Sequence, residues 1–433
     1  MRELTGGSLE TATSVWKLPR AFGNRHKRLN FSSLFEKLDL IFRMDSKNLS
    51  KFMGKEKMIP RILKPQIEKT LQEERKIIIL YGPRQVGKTT LVNQILKDYP
   101  KKALEINADQ LKFNDVLSSR DLKKMKELLG DHQLLFIDEA QRISDIGINL
   151  KILHDSISEL QIIATGSSSF ELANNTREPL TGRTRTFQLF PVSIGELSKQ
   201  MTPFEIKDHL DQYLRYGMYP EVVELEGVNR KVTHLRELTT SYLYKDVLQL
   251  TNIKHSDKIH KLLRLLAFQV GSLVSIHEVA NSLEMSSETV NSYIDILEKG
   301  FIIFRLSGFS GNLRKEITKM NKIYFYDLGI RNMLIDNFNA LDMRQDVGHL
   351  WENFVIVERK KKLSYENNFA NTYFWRTYTG VELDYIEETG GQLNGYEIKY
   401  KPKKAKPPKS WLDNYKNATF RQLDRDNFLD FVV

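Results

Sequence analysis

Cysteine is absent from all 433 residues, which rules out disulfides and thiolate metal sites and suits a reducing compartment. No apolar run approaches the roughly 18 to 20 residues a membrane helix needs, so a transmembrane chain is excluded at this level. The opening stretch also lacks the roughly 7- to 15-residue apolar segment of a secretory signal, which makes the cytoplasm the expected location. Repeats at solenoid periods are missing. Charge of one sign is only mildly in excess: 65 Lys and Arg face 55 Asp and Glu, for a net +10. That balance permits contact with nucleic acid but is equally a solubility device. What remains is an ordinary globular composition, 41% hydrophobic and 28% charged, on a chain long enough for two or three domains.

Residues 1–57 hold 12 Lys or Arg against 6 Asp or Glu, a surplus of 6 within the net +10. With no sustained period, they read as a poorly ordered leader. Residues 11–35 are basic and free of acids, so three readings stay open: a transit peptide, a flexible extension, or a start lying upstream of a working Met58. From Lys76 the pattern changes to short apolar runs separated by helical stretches, as in βα units around a parallel sheet. The runs Ile77–Tyr81, Ala103–Ile106, Leu134–Ile137, Gln161–Ala164 and Thr186–Phe190 predict five strands, and residues 58–192 one α/β domain. Residues 193–255 carry helical spacing and read as a helical lid or linker, with Leu210, Tyr213, Leu214 and Gly217 ahead of a stop at Pro220.

Gly82-Pro83-Arg84-Gln85-Val86-Gly87-Lys88-Thr89 fits G-x-x-x-x-G-K-[ST], directly after one predicted strand and at the start of a helix. Glycines let backbone N–H groups wrap around phosphates, and the helix N-terminus adds the positive end of its dipole. Lys88 would reach the β and γ phosphates of ATP, Thr89 would hold Mg²⁺ through its hydroxyl, and the backbone around Thr90 would support the α phosphate. Two strands on, Leu134–Ile137 ends in Asp138 and Glu139. Asp138 would orient the Mg²⁺ shell and Glu139 would act as general base on the attacking water. The fourth strand runs into Thr165-Gly166-Ser167-Ser168, where Thr165 or Ser167 senses the γ phosphate or the segment is a plain Gly-Ser turn. Arg183 and Arg185 are candidates to neutralise transition-state charge, Arg183 as an arginine finger supplied in cis or by a neighbouring subunit.

Between Lys258 and Ser307 the order helix, helix, turn, helix and apolar β pair predicts a winged helix, placed at residues 256–310. Ser286 or Ser287 would cap the last helix. That helix carries Glu288, Asp295 and Glu298 against Lys299, a poor set for entering a DNA groove, so a packing or interaction role is favoured.

These parts resemble the bacterial and archaeal AAA-type ATPases that carry a winged helix and a C-terminal restriction-endonuclease-like domain. The resemblance spans residues 58–433 and rests on the phosphate-loop string, Asp138-Glu139, Ala164-Thr165-Gly166-Ser167, Tyr326-Asp327-Leu328-Gly329, Trp351-Glu352-Asn353, Glu382-Leu383-Asp384 and Glu397-Ile398-Lys399. It implies a central sheet in the order 5-1-4-3-2, ATP-dependent action and a capacity to form homo-oligomers. The last two strings, with Glu397 13 residues after Asp384, resemble the PD-(D/E)XK nuclease pattern. Period-two alternation sets Asp384 opposite Leu383 and Tyr385, and puts Glu397 and Lys399 on one face. A turn at Thr389-Gly390-Gly391 would bring the two strands together. Asp384 and Glu397 would then bind Mg²⁺, Lys399 would activate the water, and Glu352 would complete the metal shell. Six lysines between Lys399 and Lys409 suit contact with the phosphates of DNA or RNA. The expected fold is therefore α/β: a P-loop NTPase core, a helical lid, a winged helix, and a nuclease-like α/β domain over 311–433. The functions in competition are an ATP-driven switch or motor touching nucleic acid, a nucleotide-binding regulator without turnover, and a transcription factor.

Overall fold

The computed structural model describes residues 58–167, 180–249, 256–309, 321–402 and 405–433; the leader, Ser168, Lys403 and Lys404 lie outside them. The run Ile77–Tyr81 forms strand β1, buried along its whole length, as a strand covered on both faces must be. It is followed by β2 (Ala103–Asn107), β3 (Leu134–Asp138), β4 (Gln161–Gly166) and β5 (Thr184–Gln188). These five pair in parallel in the order β2-β3-β4-β1-β5, so the expected topology holds. The fifth strand begins two residues before its apolar run, because its edge position tolerates Thr184 and Arg185 half in water. Leu189 and Phe190 lie past its end and are buried.

Residues 194–249 form a succession of helices. Pro220 does not stop the Leu210–Tyr216 helix. That helix ends at Gly217 (φ 77°), and Pro220 opens the next helix, where its missing N–H costs nothing. Helices Ser256–Phe268, Ile276–Leu283 and Ser287–Lys299 follow, the last capped by Ser286, whose Oγ accepts from the Thr289 N–H at 3.1 Å.

The second sheet crosses the boundary drawn at residue 310. Strands β6 (Leu273–Val274), β7 (Ile303–Gly308) and β8 (Asn321–Phe325) join β9 (Asn371–Arg376), β10 (Glu382–Thr389), β11 (Gln392–Ile398) and β12 (Ala418–Leu423). Among the described residues their order is β12-β11-β10-β9-β7-β8-β6. The bridge is a parallel pairing of Ser307 with Tyr373 and Gly308 with Phe374. Tyr326-Asp327-Leu328-Gly329 fastens this sheet to the helical region. Asp327 accepts from the Met218 N–H at 2.6 Å and the Ile330 N–H at 3.1 Å, while a Cβ at Gly329 would lie 2.1 Å from the Tyr216 carbonyl oxygen. No helix among the described residues is long and apolar enough to cross a membrane.

Candidate functional site

Gly82 to Gly87 leave β1 as a loop and deliver the chain to the Lys88–Asp98 helix, so the predicted phosphate loop sits at the carboxyl edge of the parallel sheet. Its geometry explains its glycines. Gly87 has φ 92° at the helix N-cap, and a Cβ on Gly82 (φ 152°) would lie 2.1 Å from the Leu189 carbonyl oxygen. Gln85 also takes a positive φ of 59°. Pro83, Arg84 and Val86 complete the loop, with Val86 buried. The Lys88 side chain is folded back over it, donating from Nζ to the carbonyls of Gly82 and Pro83, both at 2.9 Å. Thr90 follows Thr89 in the first helical turn.

The strand ends bring the second motif to this loop. Thr89 Oγ1 donates to Asp138 Oδ2 at 2.8 Å, and Thr165 Oγ1 donates to Asp138 Oδ1. Glu139 follows in a left-handed conformation (φ 54°), its N–H 3.4 Å from Thr165 Oγ1. Gln141 Nε2 donates to Glu139 and, at 3.3 Å, to Ser167 Oγ. Hydroxyls and carboxylates from the ends of β3 and β4 and from the first turn of the Lys88–Asp98 helix thus converge beside the loop. Gln141 carried no signal in the sequence, because its position depends on the turn after β3.

Arg183 does not join them. The strand register sets Ile77 beside Thr184, so Arg183 lies at the amino edge of the sheet, the end opposite the phosphate loop. There Asp155 holds it by two hydrogen bonds, of 2.8 and 3.0 Å, and that pairing pulls the Asp155 carboxyl down to about 2. Arg185 is likewise paired, with Glu74 at 2.7 Å. The expectation of a finger in cis is corrected by this placement: neither arginine faces its own chain's loop.

The C-terminal residues meet in a second cluster. Strands β10 and β11 form the expected hairpin across Gly390 and Gly391 (φ 58° and 82°), as a two-residue turn between twisted strands requires. Strict alternation fails at Asp384. Leu383 pairs with Trp375 and Ile386 with Tyr373, so Asp384 and Tyr385 together oppose one residue of β9. This bulge buries Leu383 through Glu387 without interruption. Asp384 Oδ2 accepts from the Ile398 N–H at 2.7 Å, and Lys399 Nζ lies 3.5 Å from Asp384 and 2.6 Å from Glu397.

Glu352 arrives from the Val347–Tyr365 helix and accepts from Tyr324 OH at 2.6 Å and Lys322 Nζ at 3.1 Å. The same ammonium is 2.5 Å from Glu382 and 4.0 Å from Asp384. Burial, then the nearby Asp384, pushes the Glu352 carboxyl up to about 7 against the pull of Lys322 and Tyr324. Among the described residues no three His, Asp or Glu side chains are disposed to hold a metal ion. Lys322 beside Glu352 and Glu382, and Lys399 beside Asp384 and Glu397, bring positive charge to these carboxylates. Lys322 was invisible in the sequence because it heads an apolar strand, Ile323-Tyr324-Phe325, and its partners lie 30 or more residues away.

Three family models match the chain: an AAA domain (AAA_14) over residues 74–198, a domain of unknown function (DUF8612) over 207–341, and another (DUF4143) over 347–424. The uncharacterized protein Rv2008c of Mycobacterium tuberculosis is 30% identical over 326 residues, which span 75% of this chain and 70% of that protein. The uncharacterized protein MJ1637 of Methanocaldococcus jannaschii is 28% identical over 388 residues, covering 78% of this chain and 80% of its own length. Among solved structures, the Walker-type ATPase PABY2304 of Pyrococcus abyssi aligns with a TM-score of 0.49 at 16% identity, over 65% of this chain and 97% of that one.

Proposed function

We propose, from the premise that this chain belongs to the family of the uncharacterized protein Rv2008c and is a P-loop ATPase of the AAA type, a mechanism in which Gly82 to Thr90 hold the phosphates of ATP. The observation that carries the reading is the Thr89–Asp138–Thr165 chain of hydrogen bonds beside the loop. The Thr89 hydroxyl and the Asp138 carboxylate are hard oxygen donors of the kind Mg²⁺ takes, and together they would hold that ion. An Mg²⁺ ion held by these two side chains would supply charge neutralisation to the bound phosphates. Lys88 leaves the Gly82 and Pro83 carbonyls for the phosphate oxygens. Glu139, held by Gln141, takes a proton from the attacking water, and Thr165 lies where a hydroxyl can sense the γ phosphate. Arg183, at the far edge of the sheet, would act only on a neighbouring chain's nucleotide in a homo-oligomer.

In this reading ATP turnover drives a chain whose residues 256–310 have winged-helix character and whose nuclease-like C-terminal part associates with DNA or RNA. A replication factor C large subunit of Methanococcus aeolicus is 33% identical over 101 residues, 23% of this chain and 21% of that protein. The test is phosphate release by the purified protein, with and without single-stranded and duplex DNA. Turnover that vanishes with Glu139→Gln while ATP still binds is expected. Turnover at the parent rate in that variant refutes the assignment.

A second reading concerns the C-terminal cluster alone, and the lysine at its centre favours it. The residues present do not fit a divalent cation while Lys322 neutralises Glu352 and Glu382, so the cluster serves as a binding or interaction element switched by nucleotide. Mg²⁺- or Mn²⁺-dependent cleavage of DNA that is lost with Asp384→Ala and Lys399→Ala would overturn it.

A further inference from the structure

One buried charge has no part in the chemistry above. Arg61 precedes the Leu63–Glu73 helix and is 8% exposed. Its guanidinium donates from Nη1 to the Val86 carbonyl at 2.8 Å, from Nη2 to the Phe190 carbonyl at 2.5 Å, and from Nε to Glu196 at 3.0 Å. Burial works against its charge, but Glu196 and Tyr365 more than offset that and hold its pKa above the usual value. A buried guanidinium is retained only where its donors are matched in this way.

Val86 is the residue before Gly87, inside the loop assigned to phosphate. A trans peptide is planar, with its C=O and N–H pointing in opposite directions, and no cis bond occurs among the described residues. Fixing the Val86 carbonyl on Arg61 therefore aims the Gly87 N–H away from Arg61. Gly87, in the left-handed region at the N-cap of the Lys88–Asp98 helix, turns the chain so that this N–H adds to those at the helix start. We propose that Arg61 is a positioning residue of the nucleotide site: it holds the Val86–Gly87 peptide from behind so that the Gly87 N–H faces a phosphate oxygen. This rests on the reading of Gly82 to Thr90 as the phosphate loop. The backing is itself braced, since Glu196 also accepts from the Ile62 N–H at 3.1 Å and the Ser193 N–H at 3.0 Å, in a capping box.

The experiment compares the parent with Arg61→Met/Glu196→Gln, which removes both buried charges together, and with Glu196→Gln, Arg61→Lys and Lys88→Ala. Melting temperature without nucleotide, ATP and ADP affinity by calorimetry, and kcat and KM are measured for each. The double variant is expected to bind ATP and ADP about 10- to 100-fold more weakly, the worth of one hydrogen bond to a charged group, with KM rising more than kcat falls. Glu196→Gln, which keeps the Val86 contact but weakens the brace behind it, is expected to lose less affinity than the double variant while its melting temperature drops. Should the double variant not fold, Arg61→Lys decides: one ammonium on a shorter stem replaces the three guanidinium nitrogens that reach Val86, Phe190 and Glu196, so the Val86 carbonyl is held less well and affinity falls there too. Parent-like affinity in the folded Arg61 variants, beside a Lys88→Ala protein that binds at least about 10-fold more weakly, overturns the role of Arg61 alone. Parent-like affinity in Lys88→Ala overturns the phosphate-loop reading beneath it.

Discussion

Replacing Glu352 by glutamine tests the electrostatics of the C-terminal cluster through the pH dependence of stability. Burial and the neighbouring Asp384 lift the Glu352 carboxyl from the ordinary glutamate value of 4.5 to about 7 in the folded protein. A raised pKa means that the folded chain binds this proton more tightly than the unfolded chain does. The stabilisation is full below pH 4.5 and is lost as pH rises through about 7. At about 1.4 kcal/mol per unit, the full rise corresponds to roughly 3 kcal/mol of pH-dependent stability. The substituted amide cannot titrate and resembles the protonated acid. The stability of Glu352→Gln relative to the parent should therefore improve by up to about 3 kcal/mol between pH 4.5 and 7, whatever its offset from losing the ion pair with Lys322. Guanidinium denaturation at several pH values, followed by tryptophan fluorescence, reads this directly. Three of the four tryptophans, Trp351, Trp375 and Trp411, lie in the same part of the chain. Parent and variant curves that stay parallel across that pH range would refute the reasoning.

Lys88→Ala should leave the melting temperature of the nucleotide-free protein close to the parent's and weaken ATP binding by about 10- to 100-fold, measured by calorimetry. Gly329→Ala should destabilise by about 1–3 kcal/mol or more in denaturant titration, because its Cβ would sit 2.1 Å from the Tyr216 carbonyl oxygen and 2.9 Å from Leu235. Lys322→Met should cost about 3–5 kcal/mol, by leaving buried Glu352 and Asp384, with half-buried Glu382 beside them, without their cation. Arg183→Ala should keep parent turnover in dilute, dissociated protein, since the side chain is tied to Asp155 at the far edge of the sheet. A loss at every dilution would contradict that placement.

The ATPase half was legible because its signals are local. A phosphate loop must follow a buried strand and open a helix, and Ile77–Tyr81, the glycines and Lys88 state this within a dozen residues. The apolar runs of β1, β3 and β4 needed no partner to be recognised, since both faces are covered; β2 and β5 lie at the edges, and β5 was displaced by two residues because polar Thr184 and Arg185 extend it. The C-terminal half was legible only in outline. The Gly390-Gly391 hairpin announces itself, but the bulge at Asp384 breaks the period of two on which facing was argued. The pairing of β7 with β9 joins residues more than 60 positions apart, which no local pattern encodes. Arg183 failed as a finger in cis for the same reason: its composition suited the task, and its register placed it at the wrong edge.

One helix relates the two clusters. Val347–Tyr365 carries Glu352 near its start and ends at Tyr365, about 20 Å along the axis at 1.5 Å per residue. Between them, Glu358 accepts from the Ile194 N–H at 2.6 Å, and Lys361 donates to the Val192 carbonyl at 2.9 Å and to Glu358 at 2.6 Å. Tyr365 OH accepts from the Phe190 N–H at 3.3 Å, and Phe190 is the residue whose carbonyl receives Arg61. Residues 190–194 leave the end of β5 and have no ladder partner of their own, so these side chains satisfy backbone groups that would otherwise be buried unpaired. Sliding the helix against the ATPase sheet would break two buried hydrogen bonds to charged groups at once, each worth about 1.5–3 kcal/mol. The helix is thus held to the sheet as a rigid strut. Arg61, through the Phe190 carbonyl, and Tyr365, through the Phe190 N–H, thus grip the same peptide-bearing residue from the two sides of this junction.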